Sequence, residues 1–341
     1  MRVTAVARGR TGVRAIIFGM SSDDAGLTWD LIQEARARIQ GKVHRTPVMT
    51  SETLDSLSGA RLYFKCENLQ KGGAFKARGA TNAVFSLSEA EARKGVATHS
   101  SGNHAAALSR AAKLRGIPAH IVMPNNSPRA KQASVTRYGG KIVFCEPTLE
   151  ARESTVARVI EETGATLVHP YNDLRVMAGQ GTTAIELLED HPDLDVILCP
   201  VGGGGQLSGI AVAAKTLKPG IRVIGVEPAG ADDAARSFRS GHIEPMPNPK
   251  TIADGLRTSL GPKPFAEIRR HVDDIVTVPE EAIITAMRRI WEVLKIIVEP
   301  SGAVAYAGIV AEKLPLKGQK IALVLSGGNL DLDTLPWISA R

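Results

Sequence analysis

The feature that most constrains this fold is an alternation of short apolar strands with helices, which begins near residue 96 and continues to the C-terminal region. Strands are predicted at VATHSS, AHIVMP, KIVFCE, TLVHP, VILCPV, RVIGVEP, IVTVPE and IALVLSGG. Helices are predicted over residues 28–39, 103–114, 128–138, 149–163, 181–188, 210–217, 232–239, 280–294 and 301–313. Continuous β-branched strands that alternate with helices are typical of parallel sheets covered on both faces, so the pattern indicates an α/β fold.

The length of the chain and the number of strands indicate two such units. At about 150 residues per domain, a chain of 341 residues corresponds to roughly two domains. Eight strands are also more than one small sheet usually holds. We therefore predict two open, mostly parallel twisted sheets with helices on both faces. Residues 96–171 are assigned to a small domain and residues 26–95 with 172–341 to a large one, while residues 1–25 are predicted to be a disordered extension.

Composition and charge exclude several classes of protein. The net charge of +7 falls to +3 without residues 1–19, and only 4% of residues are aromatic, which argues against a nucleic-acid partner. The three cysteines form no CxxC pair, so neither a zinc site nor a disulfide framework is indicated. The longest uncharged apolar stretch, 196–214, contains a proline and four consecutive glycines, so no membrane span is expected. Reduced, buried cysteines suit a cytoplasmic location.

Polar and glycine residues follow four of the predicted strands. Ser100 and Ser101 follow VATH, Gly202–Gly205 follow VILCPV, Glu227 follows RVIGV, and Ser326 follows IALVL. Ligands of open parallel sheets bind at the carboxyl ends of the strands. These residues therefore predict one site assembled from both domains.

The run Gly202–Gly205 predicts an anion site. Glycines between a strand and a helix let backbone N–H groups converge on an anion, and the helix N-terminus adds partial positive charge. The spacing is neither G-x-G-x-x-G nor a GK[ST] loop, so dinucleotide and P-loop interpretations fail. A permissive tight turn is the alternative, but four glycines favour a small phosphate.

Lys76 lies in GGAFKARGA, between Phe75 and Ala77, in a stretch that looks packed. Most lysines are exposed, and that is the alternative here. A partly desolvated lysine has a lowered pKa and can form a Schiff base. A phosphate cradle together with such a lysine suggests pyridoxal phosphate.

Two further turns complete the predicted site. In SSGNH, the side chains and exposed N–H groups at a strand-to-helix turn can hold a carboxylate, and Asn103 can bind a cofactor hydroxyl. In SGGN, Ser326 can face a pyridine nitrogen and leave it largely unprotonated. The alternatives are an ordinary helix cap and a glycine-rich turn.

Together these elements resemble the fold-type II pyridoxal-phosphate enzymes (tryptophan synthase beta-like), in the threonine dehydratase and serine racemase branch. KCENLQKGGAFKARGA is similar to the Schiff-base segment, THSSGNH to the substrate-carboxylate loop, PVGGGGQLSGIA to the phosphate loop and VLSGGNLDL to the pyridine-nitrogen segment. The similarity runs from about Ile39 to the C-terminus. It implies a cofactor in the cleft between the two domains and a homodimer.

The resemblance also implies a role for each residue of the site. Lys76 would be the catalytic lysine and Ser101 the acid/base on the opposite face of the cofactor. The implied cofactor residues are Phe75, Lys76, Asn103, Gly202, Gly203, Gly204, Gly205 and Ser326. The implied substrate residues are Ser100, Gly102, Asn103, His104 and Arg152, the last aligned with an arginine that contacts a dicarboxylate in that branch.

TIADGLRTSLG, VDDIVTV and VEP-x-x-ADD are similar to the serine racemase branch in particular. The last segment implies a divalent-cation site at Glu227, the carbonyl of Ala231 and Asp233. Oxygen ligands suit magnesium or calcium. On spacing alone, solvated acids at a strand end and a helix start are the alternative.

The chain departs from the pattern at three positions. Ala106 stands where a glutamine often follows SSGNH, Tyr171 where racemases carry asparagine, and Ala74 where serine or threonine is common. Each departure changes the wall of the pocket, so the identity of the substrate does not transfer.

The function predicted is a pyridoxal-phosphate-dependent dehydratase, or ammonia-lyase, that converts a β-hydroxy amino acid such as L-threonine or L-serine to a 2-oxo acid and ammonia. The alternatives are a serine racemase with side dehydratase activity, and a 3-hydroxyaspartate dehydratase that uses Arg152 for the extra carboxylate. A binding protein on the same scaffold is the rival from another class, and the intact Lys76, Ser101 and glycine loop argue against it.

Overall fold

The computed structural model of the chain describes residues 26–100, 102–127 and 129–338. The prediction for residues 1–25 lies outside the described residues. The strands are β1 Val48–Met49, β2 Arg61–Lys65, β3 Val96–His99, β4 Ala119–Pro124, β5 Lys141–Cys145, β6 Thr166–Leu167, β7 Val196–Pro200, β8 Arg222–Pro228, β9 Asp274–Val278 and β10 Lys320–Val324. All eight predicted strands are present, and β1 and β2 are additional.

The α-helices of the described chain are α1 Trp29–Ile39, α2 Glu52–Ser58, α3 Lys76–Phe85, α4 Glu89–Lys94, α5 Asn103–Arg115, α6 Arg129–Arg137, α7 Leu149–Thr163, α8 Leu174–Asp190, α9 Gly205–Leu217, α10 Asp233–Ser240, α11 Pro262–His271, α12 Glu280–Arg289 and α13 Pro300–Val310. None of the described helices has the length and apolar character that a bilayer crossing requires.

The larger sheet has six strands in the order β1-β2-β10-β7-β8-β9. All neighbours are parallel except β1, which runs antiparallel to β2. Helices α1, α8 and α9 cover one face of this sheet, and α2, α12 and α13 cover the other. Every residue of β7 is buried, as expected for a central strand covered on both sides.

The smaller sheet has four parallel strands in the order β5-β4-β3-β6. Helices α3 and α5 pack on one face through alanine-rich surfaces, and α7 packs on the other. The two parallel sheets with helices on both faces confirm the predicted fold class, whereas the domain boundaries stay a prediction.

Helix α7 shows how closely local sequence can determine an element. The side chain of Thr148 caps its start by accepting a hydrogen bond from the N–H of Ala151. Gly164 ends it with a φ of +67°, a conformation that glycine adopts without steric cost. The predicted and observed bounds of this helix coincide.

Helices α8 and α9 begin well before their predicted starts at residues 181 and 210, so those predictions are wrong. The helices cross through glycines: a Cβ on Gly181 would lie 2.8 Å from the carbonyl oxygen of Gly209, and a Cβ on Gly209 would lie 2.3 Å from that of Met177. Glycine has a low helix propensity, which is why these first turns were not predicted as helical. Here the glycines let the two helices pack closely, and this tertiary packing outweighs the low propensity.

The helix predicted over residues 280–294 has the predicted bounds, but its last turn is of a different helix type. Helix α12 ends at Arg289, and Ile290–Leu294 forms a π-helical turn that closes at Lys295 with a φ of +59°. Within this π-helical turn, the side chains of Ile290 and Leu294 are buried.

Candidate active site

The loops after β3, β7, β8 and β10 carry most of the predicted site residues. The segment before α3 is tied directly to the loop after β10. Ala74 forms a β-bridge with Gly327, and the N–H of Phe75 donates to the carbonyl oxygen of Ser326 at 3.0 Å. The structure therefore brings the Lys76 segment and the SGGN turn together, as the sequence predicts.

Lys76 is the first residue of α3, and its side chain is half-buried. Its Nζ donates to the carbonyl oxygen of Pro170 at 2.7 Å and lies 4.9 Å from the centroid of the Phe75 ring. Burial lowers the pKa of the Lys76 amine to about 8. An appreciable fraction of this amine is therefore neutral near pH 8, which is the nucleophilic form.

The glycine loop joins β7 to α9 and is buried throughout. Gly204, the N-cap of α9, has a φ of +86°. Among the described residues, none accepts a hydrogen bond from the N–H groups of Gly202–Gly205. Buried backbone N–H groups rarely lack a partner, so this loop fits an anion such as a phosphate.

Tyr171 lies directly over this loop. A Cβ added to Gly203 would be 2.3 Å from Cγ of Tyr171, and one added to Gly205 would be 2.9 Å from its Cβ. Because Pro170, the preceding residue, accepts the Lys76 bond, residues 170–171 link the lysine to the glycine loop. Alanine at 203 or 205 would displace the tyrosine.

The SSGNH turn leads from β3 into α5. The Oγ of Ser100 accepts a hydrogen bond from the N–H of Gly102 at 3.3 Å, and Gly102 is the N-cap of α5. A Cβ on Gly102 would meet no heavy atom within 4 Å, so open space lies before this helix N-terminus. Ser101 lies outside the described residues, and its predicted role stays a prediction.

Asn103 and His104 have different environments. Asn103 donates to Oε1 of Glu299 at 2.8 Å and accepts from Nδ2 of Asn329 at 2.9 Å, so it bridges the small sheet and the β10 loop. His104 is buried, its Nε2 lies 3.1 Å from the carbonyl oxygen of Val168, and burial lowers its pKa to about 3. A neutral imidazole held in this way leaves the backbone N–H of His104 as its donor to a carboxylate.

Ser326 is buried at the end of β10, and its Oγ donates to the carbonyl oxygen of Ser301 at 3.3 Å. A hydroxyl both donates and accepts and can rotate to suit a new partner. The position therefore fits a partner for a ring nitrogen.

Arg152 lies on α7 with its side chain half-buried. Its Nε is buried and has no hydrogen-bond partner among the described residues. Burial lowers the pKa of His99, at the end of β3, and the positive charge of Arg152 lowers it further. The charge of Arg152 therefore acts on the strand end that leads into the SSGNH turn.

The predicted cation ligands form a buried acidic pair. The two oxygens of Glu227 accept from the N–H groups of Ala234 and Ala235 at 3.1 and 2.9 Å. Burial and the neighbouring Asp233 raise the pKa of Glu227 to about 9, and burial raises that of Asp233 to about 6. Oδ2 of Asp233 accepts from the N–H of Leu260 at 2.8 Å, whereas Oδ1 is buried without a partner in the described chain.

An orphaned carboxylate oxygen beside a second buried carboxyl group fits a cation with oxygen ligands. The described residues hold no cluster of three or more His, Cys, Asp and Glu side chains that could hold a metal. The predicted set has only two such side chains and draws its third ligand from the carbonyl of Ala231, so it lies below that size.

Two residues that lie next to the segments of the candidate site were not identified from the sequence. Glu299 precedes α13 and is buried, and burial together with Asp254 raises its pKa to about 8. Oγ1 of Thr258 is buried without a partner among the described residues, and a Cβ on Gly202 would lie 3.3 Å from it. Thr258 belongs to TIADGLRTSLG (residues 251–261) and Glu299 to VEPSG (residues 298–302). Only the fold shows that these two segments contact the candidate site.

Comparisons with known proteins show the family to which the chain belongs. The family model described as pyridoxal-phosphate dependent enzyme matches residues 39–327. A serine racemase of Arabidopsis thaliana is 54% identical over 315 residues, which cover 91% of this chain and 95% of the relative. A beta-hydroxyaspartate dehydratase of Paracoccus denitrificans is 51% identical over 310 residues, covering 91% and 98%. The structure of maize serine racemase superposes with a TM-score of 0.89 at 49% identity, covering 91% of this chain and 96% of that one.

Proposed function

Because the chain belongs to the family of pyridoxal-phosphate dependent enzymes, we propose that it is a dehydratase of β-hydroxy amino acids. The observation that carries the proposal is the link between Lys76 and the glycine loop. The lysine amine bonds to Pro170, and Tyr171, the next residue, covers Gly203. A lysine with a lowered pKa is thereby held close to buried N–H groups that lack an acceptor among the described residues.

The proposed cofactor residues follow from these positions. Lys76 binds the cofactor through its amine, the N–H groups of Gly202–Gly205 hold its phosphate, Asn103 binds its ring hydroxyl, and Ser326 faces its ring nitrogen. The Phe75 ring lies beside the lysine amine. When bound, pyridoxal phosphate stabilises the negative charge that develops at the α-carbon of the substrate.

The residues of the chain supply binding and proton transfer. The substrate carboxylate docks before α5, on the hydroxyl group of Ser100 and the backbone N–H groups of Gly102, Asn103 and His104. The amino group of the substrate would take the place of the Lys76 amine on the cofactor, and the freed, neutral amine would accept the α-proton. It would return this proton to the β-hydroxyl, which would leave as water when the Cβ–O bond breaks. The released enamine hydrolyses to a 2-oxo acid and ammonia. Ser101 would reprotonate the opposite face, which would give the enantiomer instead.

The test is a scan of the purified protein against L-serine, D-serine, L-threonine and both diastereomers of 3-hydroxyaspartate, following 2-oxo acid and chiral composition in the same tubes. We expect oxo acid to form faster than enantiomer, Lys76→Ala to abolish both, and Lys71→Ala, in the same segment, to retain them. Enantiomer that accumulates faster than oxo acid would make the protein a racemase. No product from any of these substrates would overturn the proposal.

The environment of Arg152 favours a second candidate, in which the substrate is 3-hydroxyaspartate. The Nε–H of Arg152 is buried and has no partner among the described residues, and the charge of Arg152 acts on His99 at the end of β3, so the guanidinium suits the side-chain carboxylate of such a substrate. Loss of a charge-assisted hydrogen bond costs about 1.5–3 kcal/mol, so Arg152→Met should lower kcat/KM for 3-hydroxyaspartate by about 10- to 150-fold. Serine turnover should change little. Arg158→Met on the exposed side of the same helix is the matched control.

We also propose that Glu227, Asp233 and the carbonyl of Ala231 hold magnesium or calcium. Oδ1 of Asp233, which is buried and has no hydrogen-bond partner in the described part of the chain, supports this. The cation should raise the Tm of the wild type and of Asp232→Asn, whose side chain pairs with Arg236. It should leave the Tm of Asp233→Asn unchanged. Equal cation responses in all three proteins would refute the site.

A homodimer in the cytoplasm completes the proposal. The resemblance to the family supports the dimer, and the three buried, free cysteines suit a reducing compartment. Sedimentation of the purified chain at several concentrations tests the dimer, and a monomer throughout would contradict it.

A further inference from the structure

Four charged side chains are buried together behind the start of helix α3. They are Lys65 at the end of β2, Glu67 in the next turn, Arg78 in the first turn of α3 and Glu186 on α8. The side chains of Lys65, Glu67 and Arg78 are fully buried, and that of Glu186 is 14% exposed. The proposed reaction uses none of them directly.

Arg78 is the centre of this cluster. Its Nε and Nη2 donate to the two oxygens of Glu67 at 2.8 and 2.7 Å. Its Nη1 and Nη2 donate to the two oxygens of Glu186, each at 2.7 Å. One guanidinium is therefore bound by two carboxylates, each in a two-point arrangement that fits its planar fork.

Lys65 balances the charge of the cluster. Its Nζ donates to Oε2 of Glu186 at 2.6 Å and to the carbonyl oxygen of Thr46 at 2.8 Å. Two cations and two carboxylates then sum to zero. Removing one member would leave a buried charge without its partner, which is far costlier than the intact cluster.

The start of α3 lacks the usual local stabilisation. Phe75, at the N-cap position, provides no side-chain cap, and the first turn holds no acidic residue. It holds Lys76 and Arg78 instead, although the partial positive charge of a helix N-terminus disfavours cations. Glu67 and Glu186 bring to this turn, from other segments, the negative charge that a helix start normally carries itself.

Lys76 and Arg78 point to opposite sides of the turn. Residues two apart on a helix do not face each other, and here Lys76 bonds to Pro170 whereas Arg78 bonds to Glu67 and Glu186. Fixing Arg78 on one side therefore fixes the backbone from which the Lys76 side chain extends on the other.

We propose that Arg78, clamped between Glu67 and Glu186, is a positioning residue that holds the Lys76 amine in place for the cofactor. This inference rests on the proposed function, because Lys76 must be the cofactor lysine. A cluster with a purely structural role would affect the stability of the whole protein and not the lysine in particular.

The experiment compares full-length Arg78→Lys and Glu186→Gln with two controls. Arg45→Lys changes an arginine that also pairs with two carboxylates, Glu189 and Asp190, but at the exposed end of α8. Leu54→Ala removes a buried side chain of α2 and leaves a cavity in the core. It serves as the control for an effect that follows only from a lower stability of the whole protein. Arg78→Lys keeps the charge but cannot form both forks.

Three quantities are measured in each protein: the affinity of the cofactor-free chain for pyridoxal phosphate from visible absorbance, the hydrogen exchange of residues 76–85, and kcat with KM. For both clamp variants we expect at least tenfold weaker cofactor affinity, faster exchange in residues 76–85, and a lower kcat with little change in KM. The two controls should keep wild-type affinity below their unfolding temperatures. If Arg78→Lys does not fold, Glu186→Gln supplies the same comparison.

Wild-type affinity and exchange in a folded clamp variant would overturn the inference. So would an equal loss of affinity in Leu54→Ala, because the effect would then follow general stability. A wild-type chain that gives no visible band with the cofactor would instead refute the proposed function, so the two failures are distinguishable.

Discussion

A methyl group at Gly102 should weaken substrate binding and leave the fold and the cofactor site intact. Gly102 is the N-cap of α5, and a Cβ there would meet no heavy atom of the described residues within 4 Å. Alanine is a poorer N-cap than glycine, by up to about 1 kcal/mol. The free energy of unfolding of Gly102→Ala should therefore stay within about 1 kcal/mol of the wild type.

The cost should instead appear when the substrate binds. The added methyl group occupies the space before the α5 N-terminus in which the substrate carboxylate is proposed to dock. Displacing that carboxylate by enough to lose one charge-assisted hydrogen bond costs about 1.5–3 kcal/mol. At about 1.4 kcal/mol per factor of ten, kcat/KM should fall by about 10- to 150-fold.

The assay measures kcat and KM on the preferred substrate, cofactor affinity and Tm. Gly220→Ala is the matched control, because a Cβ on Gly220 also meets no heavy atom within 4 Å and that residue lies in the turn between α9 and β8. An unchanged KM in Gly102→Ala would refute the docking position. A loss of cofactor affinity as large as the loss of kcat/KM would refute the division between substrate and cofactor residues.

Three further predictions follow from single contacts. Gly203→Ala places a Cβ 2.3 Å from the Tyr171 ring, and such overpacking costs about 1–3 kcal/mol. Cofactor affinity, measured by titration, should therefore fall about tenfold and should recover when Tyr171→Ala is added. Affinity that does not recover in the double variant would contradict this packing. Lys131 of α6 forms an ion pair with Asp254, which lies in the loop between α10 and α11. Exposed pairs contribute about 0.2–1 kcal/mol, so Lys131→Met should raise KM by up to about fivefold at low salt and by less at high salt. A change of KM that does not depend on salt would argue against this ion pair. The pKa of the Glu299 carboxyl group is raised from 4.5 to about 8, so its contribution to stability is fully present below about pH 4.5 and is lost as the pH rises through 8. Between pH 5 and 9 the Tm of Glu299→Gln should therefore fall less steeply than that of the wild type. Equal slopes of Tm against pH in the two proteins would disprove the shift.

Most of the fold could be predicted because burial leaves a direct pattern in the sequence. The eight predicted strands are short apolar runs bounded by turn residues, and α7 has a cap at each end. Strand β2 was missed because RLYFK places a charged residue at each end. Lys65 is nevertheless buried, since Glu186 from a distant helix pairs with it, and no local pattern shows that partner.

The positions of the candidate site residues could be predicted where they lie in contiguous segments, whereas their roles stay a prediction. Lys76, the glycine loop, Asn103 and Ser326 each belong to a short motif at a strand end or helix start, and the segments that carry them are in contact. Glu299 was missed because its role depends on Asn103, 196 residues away in sequence. The glycine-to-glycine crossing of α8 and α9 was missed for the same reason, because tertiary contact decides it.

The lysine that binds the cofactor can be located directly. The purified chain, loaded with pyridoxal phosphate, is reduced with borohydride and digested, and the labelled peptide is identified by mass spectrometry. We predict a single pyridoxyl adduct on Lys76, absent from Lys76→Ala and retained in Lys71→Ala. An adduct on another lysine, or none in a chain that still releases 2-oxo acid, would contradict the assignment of Lys76 and the mechanism built on it.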